Sequence, residues 1–264
     1  MEQWRGHLAV VTGASAGIGS AITIELLKHG VNVVAIARRE HLLIELSNLV
    51  KEKEWRGKIY LKPCDITDEV SLKDVFNWIE TNIGGISIMI NNAGMLRRST
   101  LLGGSTADWK SIFDLNVMAL SACSREAYQS MAKHKINGHI IQINSIAGHA
   151  LTPVFAHKMY NASKFAVTAL CDGLRHELQL MQSKIKVTSI SPGLVDTEIF
   201  EVAQWKPLSH GKSSDMILKS EDVANTVIAA LSTPPNVLVA ELIVIPTGTT
   251  IQKHNSPSPP FDLS

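Results

Sequence analysis

The chain has 264 residues, of which 45% are hydrophobic and 19% are charged, and its formal net charge at pH 7 is +1. This length and apolar content favour one large α/β domain, and the near-zero charge argues against nucleic acid or an anionic membrane as a partner. The three cysteines are widely separated and follow neither a disulfide framework nor a metal-ligand spacing, which is typical of a reducing compartment.

The first residues lack the apolar segment of a signal peptide, and no stretch approaches 18 uninterrupted apolar residues. We therefore expect a cytoplasmic protein without a membrane span, although a short or internal targeting signal would escape this test. The chain contains no H-x-H or H-E-x-x-H spacing and no acidic cluster, so no metal site is predicted.

Short β-branched runs alternate with helical patterns along the chain. Strands are predicted at 7–12, 31–37, 58–62, 86–90, 139–144, 185–191 and 237–245. Helices are predicted at 17–30, with Gly30 at its end, and at 40–54, 69–83, 107–134, 157–182 and 221–231. This alternation predicts a single Rossmann-type domain over 1–250, with a doubly wound parallel sheet and helices on both faces. Weak periodicity predicts a flexible substrate loop at 194–219, and the tail at 251–264 is expected to be disordered.

A glycine-rich turn, T-G-A-S-A-G-I-G, joins the first predicted strand to the first predicted helix. Gly13 permits a tight turn, Gly17 permits close approach of a phosphate, and Gly19 permits close contact between helix and strand. The helix N-terminus offers N–H groups to a pyrophosphate, and Ser15 and Ile18 lie in the same predicted cofactor site. The spacing differs from the common G-x-G-x-x-G, and an ordinary glycine turn is the alternative. Its position after strand one favours the dinucleotide interpretation.

Two arginines follow the second predicted strand. An acidic residue at this place usually binds the ribose 2′-hydroxyl of NAD, whereas an arginine accommodates the 2′-phosphate of NADP. We predict that Arg38 binds the phosphate and that Arg39 stacks on the adenine, with simple solvation as the alternative for one of them. The sequence therefore favours NADP(H) over NAD(H).

These motifs, in this order, resemble the short-chain dehydrogenase/reductase family over nearly the whole chain. N-N-A-G at 91–94 matches the family segment that lies along the cofactor, and P-G-x-x-x-T at 192–197 resembles the segment that holds the nicotinamide carboxamide. D-I at 65–66 resembles the pair that contacts adenine. Beyond the turn and the arginines, the resemblance implies cofactor contacts from Asp65, Ile66, Asn92, Ala93, Gly94, Tyr160, Lys164, Pro192, Gly193, Val195 and Thr197.

Asn116, Ser145, Tyr160 and Lys164 occupy the order of the family's catalytic tetrad. Tyr160 and Lys164 are four residues apart on one predicted helix face, so the ammonium is expected to lower the pKa of the phenol from about 10. The resemblance implies that Tyr160 exchanges the alcohol proton, Ser145 holds the substrate oxygen, and Lys164 binds the nicotinamide ribose. Asn116 is expected to distort its helix and hold a water. The alternatives are that Ser145 caps a turn and that Asn116 satisfies a buried backbone group.

Within the family, the chain resembles the insect farnesol dehydrogenases and the related vertebrate enzymes that act on keto- and hydroxysteroids. The resemblance lies in S-I-S-P-G-L-V at 189–195, L-S-T-P-P at 231–235 and the 15-residue step from Ser145 to Tyr160. Apolar loop residues favour a lipophilic substrate, with packing against the domain as the alternative for any one of them. The predicted substrate contacts are Leu96, His149, Phe155, Leu194 and Phe200, and Pro153, Val195 and Trp205 fall in the same loops.

The predicted function is hydride transfer between NADP(H) and a lipophilic alcohol or carbonyl compound, with farnesol/farnesal as the most specific possibility. A steroid or general carbonyl reductase is the alternative. A 3-oxoacyl-carrier-protein reductase is disfavoured because 200–205 offers no basic docking patch, and a non-catalytic NADP(H) sensor is disfavoured by the intact Ser145, Tyr160 and Lys164. In the resembling family the long helices at 107–134 and 157–182 pair between subunits, so a homodimer or homotetramer is expected.

Overall fold

A computed structural model describes residues 1–151, 155–199 and 217–251. Within them, seven parallel strands form one sheet in the order β3-β2-β1-β4-β5-β6-β7. The strands are β1 (Leu8–Thr12), β2 (Asn32–Ala37), β3 (Ile59–Pro63), β4 (Ile88–Asn91), β5 (His139–Ile143), β6 (Lys186–Pro192) and β7 (Glu241–Val244). The helices are α1 (Gly17–Lys28), α2 (Glu40–Glu52), α3 (Glu69–Asn82), α4 (Thr106–Phe113), α5 (Leu120–Lys133), α6 (Lys158–Leu180) and α7 (Ser220–Leu231).

The central strands of the sheet are buried on both faces, and the helices that cover them confirm the predicted doubly wound architecture. Every residue of β1, β4 and β5 is buried, because parallel strands covered by helices need apolar side chains on both sides. In β1, Ala9 and Val11 pack with residues of α1, α2 and α7, whereas Leu8 and Val10 pack with residues of α3 and α5. The sheet therefore separates two apolar layers, one on each face.

The order of the strands reverses beside β1, and this reversal places the functional site. From β1 the chain moves outward through β2 to β3, and it then crosses back to add β4 on the other side of β1. Ligands of open α/β sheets bind in the crevice that such a reversal leaves at the carboxyl ends of the strands. The glycine turn after β1 and the N-N-A-G segment after β4 both lie at this crevice.

The end of the first helix agrees with the predicted glycine terminus. Gly30 has φ +79°, its N–H donates to the Leu27 carbonyl at 3.0 Å, and the N–H of Val31 donates to the Leu26 carbonyl at 3.0 Å. This pair of bonds is a Schellman motif, which requires a left-handed residue just beyond the helix. The helix itself ends at Lys28, two residues earlier than predicted.

Two predicted elements differ from the structure by more than two residues at an end or are divided. The single helix predicted at 107–134 is divided into α4, one π-helical segment over Asp114–Ala119, and α5. The last strand covers only Glu241–Val244 rather than 237–245, because the N–H of Val237 closes a turn onto the Pro234 carbonyl at 2.9 Å.

The predicted loop at 194–219 is described at its two ends. Val195 and Leu218 form a parallel β-bridge, and the N–H of Asp196 donates to the Leu218 carbonyl at 2.8 Å. Leu218 donates in turn to the Leu194 carbonyl at 2.9 Å. The predicted tail lies beyond the described residues from 252 onwards. No helix of the described part has the length and apolar character needed to cross a membrane.

A partly buried carboxylate joins α3 to the end of α5. Glu80 accepts hydrogen bonds from Lys133 Nζ at 2.7 Å and His134 Nε2 at 2.9 Å, and a third from the Ser130 hydroxyl. Burial acts to raise the pKa of Glu80, but the bonds from Lys133, Ser130 and His134 outweigh it and lower this pKa to about 2. The native state is therefore stabilised by the ionised form above the ordinary pKa of 4.5, and this stabilisation is lost as the pH falls towards about 2.

We expect Glu80→Gln to destabilise the fold by about 1–3 kcal/mol at pH 7, because three donors lose a charged acceptor. Urea unfolding at pH 7 and pH 3 measures the effect, and the difference from wild type is expected to shrink at the lower pH. Glu69→Gln is the matched control. Glu69 lies in the same helix as Glu80 but is exposed, and its ion pairs with Lys73 and with Arg125 of α5 lie at the surface. An equal loss in both variants would contradict the assigned role of Glu80.

Candidate active site

The turn after β1 requires glycine at each of its three glycine positions. Gly13 has φ +65°, and a Cβ there would lie 2.9 Å from Asn92 Nδ2 and 3.0 Å from Ala93 Cα. Gly17 has φ +54°, and its Cβ would lie 3.2 Å from Thr197 Cγ2. A Cβ on Gly19 would overlap the carbonyl oxygen of Gly13. The turn is therefore tightly packed between the end of β4 and the segment after β6.

The N-terminus of α1 fits a dinucleotide phosphate. Its N-cap, Ala16, brings no side-chain acceptor to the first turn of the helix. The first N–H groups of a helix lack intrahelical partners and carry partial positive charge, so they bind a phosphate when nothing else caps them. The predicted residues Ser15 and Ile18 lie partly buried beside this end.

The N-N-A-G segment locks the glycine turn to β4. The Thr12 hydroxyl accepts hydrogen bonds from the N–H groups of Asn92 and Ala93, both at 3.1 Å. The Asn92 side chain donates to the carbonyls of Thr12 at 2.9 Å and Gly13 at 3.2 Å. Gly94 follows, and its Cβ position is 3.5 Å from Asn116 Oδ1 and 4.0 Å from Lys164 Nζ. The segment thus runs from the glycine turn to the tetrad.

The residues predicted for the adenine end lie together at the carboxyl ends of β2 and β3. Arg38 Nη1 is 3.7 Å from Asp65 Oδ2, and Arg38 is 65% exposed at its side chain. Asp65 also accepts hydrogen bonds from the N–H and hydroxyl of Thr67, while Ile66 is buried. Arg39 is the N-cap residue of α2, and its Nη1 lies 2.7 Å from Glu198 Oε2. The pairing with Glu198 was not predicted.

Tyr160 and Lys164 lie one turn apart in α6. Lys164 Nζ donates to the Ile143 carbonyl at the end of β5 at 2.9 Å and lies 5.8 Å from the centroid of the Tyr160 ring. Lys164 is buried, and burial lowers its pKa to about 8, with a smaller opposite effect from Cys171. Lys164 is therefore held in place by the carboxyl end of β5.

The expected fall in the pKa of Tyr160 is wrong for this structure. Burial raises the pKa of Tyr160 to about 12, although its hydrogen bond with Ser145 acts in the opposite direction. The spacing of Tyr160 and Lys164 indicates that their charges are close, but it does not report that both groups lie out of water. Removing the phenolate from water costs more than the hydrogen bond with Ser145 returns, so the neutral phenol is the favoured form.

Ser145 caps a turn, as the alternative held, and its contact with a substrate oxygen stays a prediction. Its hydroxyl accepts a hydrogen bond from the N–H of Ala147 at 3.1 Å, which caps the 3₁₀ turn Ile146–Gly148. The same side chain is hydrogen-bonded to Tyr160. The cap orients the hydroxyl that faces the phenol, so the capping role supports the predicted catalytic one.

Asn116 lies in the π-helical segment, which confirms the predicted distortion of its helix. Its Oδ1 accepts from the N–H of Met95 at 2.8 Å, and its Nδ2 donates to the Met95 carbonyl at 2.9 Å and to the Ser163 hydroxyl at 3.1 Å. Asn116 therefore satisfies buried backbone groups, as the alternative held, and it also fixes the segment beside Gly94. A water between Asn116 and Lys164 stays a prediction.

The P-G-x-x-x-T segment at the end of β6 is ordered against the sheet. Pro192 ends β6, and a Cβ on Gly193 would lie 3.3 Å from Ile245 Cγ2. Val195 is buried, and Thr197 packs on Gly17 of the glycine turn. These positions bring the P-G-x-x-x-T segment to the crevice that holds the other predicted cofactor residues.

Among the predicted substrate residues, Leu96 is buried and Leu194 is partly buried. His149 Nε2 lies 2.8 Å from the Ser191 hydroxyl and 3.2 Å from Glu241 Oε1, so this atom faces β6 and β7. Phe155 opens a short 3₁₀ turn before α6. Phe200, Pro153 and Trp205 lie outside the described residues. Contacts of this set with a substrate stay predictions.

Within the described part of the chain, no group of three or more His, Cys, Asp or Glu side chains is arranged to hold a metal ion. The sequence motifs did not indicate that Glu198 pairs with Arg39, or that His149 contacts Ser191 and Glu241. In each case the partner residue is distant in the sequence and belongs to no recognisable motif.

The chain is similar to known proteins along most of its length. A family model described as short chain dehydrogenase matches residues 7–206. The Dehydrogenase/reductase SDR family member 11 of Mus musculus is 45% identical over 251 residues, which cover 94% of this chain and 96% of that protein. The farnesol dehydrogenase of Aedes aegypti is 43% identical over 249 residues, covering 94% and 99% of the two chains. The solved closed form of serine dehydrogenase complexed with NADP⁺ has a TM-score of 0.82 at 27% identity and covers 95% of this chain and 99% of its own.

Proposed function

We propose that this chain, which belongs to the short-chain dehydrogenase family, transfers a hydride between NADP(H) and a lipophilic alcohol or carbonyl compound. The observation that carries the proposal is the placement of Tyr160, Ser145 and Lys164 beside Gly94, in the crevice that also contains the glycine turn. A proton-exchanging group and a phosphate site thus share one end of the sheet.

The residues of the crevice fit a nicotinamide dinucleotide. The uncapped N-terminus of α1 accepts the pyrophosphate, and the glycines permit the tight turn that leads into it, since a Cβ there would meet Asn92, Thr197 or the turn's own backbone. Arg38 and Arg39 at the end of β2 supply positive charge for a 2′-phosphate, which supports NADP(H). When bound, the nicotinamide supplies or accepts the hydride at the substrate carbon.

Tyr160 is the proton donor and acceptor of the proposed reaction. Because the pKa of Tyr160 is raised to about 12, the phenol is neutral at pH 7 and is ready to donate its proton to the oxygen of a carbonyl substrate. Ser145, fixed by its cap on Ala147, holds that oxygen next to the phenol. In the direction of alcohol oxidation, the same phenol oxygen takes the proton back.

Lys164 and Asn116 position these groups. One N–H of Lys164 is committed to the Ile143 carbonyl, which leaves its other donors for the ribose hydroxyls beside Gly94. Asn116 binds both backbone groups of Met95, so it fixes the wall of the site between the N-N-A-G segment and the buried Leu96. Neither residue exchanges the substrate proton in this proposal.

The buried Leu96 and the apolar loops after β5 and β6 support a lipophilic substrate. Farnesol/farnesal is the most specific proposal, on the similarity to the mosquito farnesol dehydrogenase. The similarity to the mouse relative keeps a steroid or general carbonyl reductase as the second proposal. A sensor without activity is disfavoured, because the hydrogen bond between Ser145 and Tyr160 is intact.

Oxidation of NADPH at 340 nm with farnesal, a ketosteroid and a small polar aldehyde tests the proposal. We expect kcat/KM for farnesal to exceed that for the polar aldehyde by at least about tenfold, since each buried methylene adds roughly 0.8 kcal/mol of binding. Binding of NADPH without turnover of any carbonyl compound would favour the sensor. A ketosteroid turned over faster than farnesal would favour the second proposal.

We further propose that the chain is a homodimer or homotetramer through the helices around α6. Phe165 and Leu170 of α6 and Met118 of the π-helical segment are 42%, 37% and 63% exposed. Apolar side chains so placed on neighbouring elements are typical of an interface. Sedimentation is expected to give two or four times the mass of the chain, and a monomer at micromolar concentration would reject the proposal.

A further inference from the structure

One of the two guanidinium groups at the end of β2 that supply positive charge for a 2′-phosphate is paired with a carboxylate of the protein itself. Arg39 Nη1 lies 2.7 Å from Glu198 Oε2, whereas the neighbouring Arg38 lies at a looser 3.7 Å from Asp65. Arg39 directly precedes α2, at the place where the ribose of the adenosine is bound in this kind of crevice. A ligand with a phosphate at this place therefore meets Glu198 as a competitor.

Glu198 is presented from an anchored stretch of backbone. Asp196 donates to the Leu218 carbonyl at 2.8 Å, Val195 is bridged to Leu218, and Thr197 packs on Gly17. These contacts hold the stretch across the glycine turn, between the pyrophosphate end and the adenine end. The carboxylate thus reaches the end of β2 from the segment that follows β6.

We propose that Glu198 is a cofactor-selectivity residue, whose carboxylate competes with the 2′-phosphate of NADP(H) for the guanidinium of Arg39. This inference rests on the proposed use of NADP(H). A phosphate has more charge than a carboxylate and binds arginine through two parallel bonds, so it displaces Glu198. A 2′-hydroxyl leaves the ion pair in place. Glu198 therefore weakens the binding of NADP(H) and does not affect the binding of NAD(H). It reduces the preference of the protein for NADP(H) over NAD(H).

The size of the effect follows from the exposure of the pair. Arg39 and Glu198 are 45% and 49% exposed at their side chains, and such ion pairs contribute little. Removing the competitor is therefore expected to tighten binding of a 2′-phosphorylated nucleotide by about two- to fivefold. Repulsion between the carboxylate and the phosphate has the same sign and adds to the gain.

Calorimetry of the full chain with adenosine 2′,5′-bisphosphate and with 5′-AMP tests the inference without any catalytic step. Glu198→Gln is expected to bind the bisphosphate about two- to fivefold more tightly and 5′-AMP unchanged. Glu40→Gln is the matched control, since Glu40 directly follows Arg39 but has no ion pair with the described residues. An equal gain in Glu40→Gln would mean a general charge effect and would overturn the proposal.

The second part of the test measures the effect of Glu198→Gln on binding of the bisphosphate in a protein that already carries Arg39→Ala. If Glu198 acts by competing for Arg39, most of the gain from Glu198→Gln disappears in this background, and only the smaller part that comes from carboxylate–phosphate repulsion stays. Persistence of the full gain, or no gain in the first part, would overturn the proposal. The result is separate from the proposed cofactor: wild type that binds NADPH no more tightly than NADH would reject NADP(H), while the bisphosphate cycle would still report on the pair.

Discussion

Tyr160→Phe is expected to lower kcat/KM for carbonyl reduction by about 10²–10⁴-fold while NADPH still binds. The variant keeps the ring and loses only the hydroxyl that bonds to Ser145. The variant then lacks the group to which we assign the exchange of the substrate proton, and Lys164 is held at the Ile143 carbonyl. Steady-state rates at 340 nm and titration of NADPH fluorescence measure the two quantities separately.

Tyr128→Phe is the matched control for this loss. The Tyr128 hydroxyl contacts Met181 Sδ at 3.4 Å, away from the crevice, so its removal is expected to leave kcat/KM within about twofold of wild type. A Tyr160→Phe enzyme that retained more than about a tenth of the wild-type rate would exclude Tyr160 as the main proton donor.

Arg38→Ala is expected to weaken NADPH binding by about 10–100-fold and to leave NADH binding nearly unchanged. A charge-assisted hydrogen bond to a phosphate is worth about 1.5–3 kcal/mol, and NADH has no group that uses it. Arg38 is more exposed and less firmly paired than Arg39, so its guanidinium is the freer of the two to accept the phosphate. Dissociation constants for both cofactors check the prediction.

Arg56→Ala serves as the control for the change of charge. Arg56 is exposed beyond the carboxyl end of α2, far along the chain from the end of β2. It is expected to change neither dissociation constant. If Arg38→Ala weakened NADH as strongly as NADPH, Arg38 would have a structural role and the proposed selectivity for NADP(H) would lose its main support.

The fold was predictable because its strands are buried on both faces. Continuous apolar runs such as 31–37 indicate parallel strands, and Gly30 marks the end of the helix before it. The boundaries of the π-helical segment at Asp114–Ala119 could not be predicted. A π-helical turn adds one residue to the helix, and the pattern of apolar residues before and after it still reads as α-helix. The excess length predicted for β7 arose from an apolar stretch that a proline turn takes out of the sheet.

The site was predictable in its residues and less so in its electrostatics. Motif spacing identified Ser145, Tyr160 and Lys164, which the structure brings together. Spacing carries no information on solvent exposure, so the direction of the Tyr160 pKa was wrong. The pair formed by Arg39 and Glu198 depends on how the segment after β6 crosses the glycine turn, which no local pattern in the sequence encodes.

The bridge between Val195 and Leu218 has an evolutionary consequence. Its hydrogen bonds hold the two described ends of the predicted loop, at 194–196 and at 218, side by side. A change in the length of chain that joins two ends fixed in this way need not move β6 or α7. We therefore expect insertions and deletions between these ends to leave the positions of Ser145, Tyr160 and Lys164 unchanged.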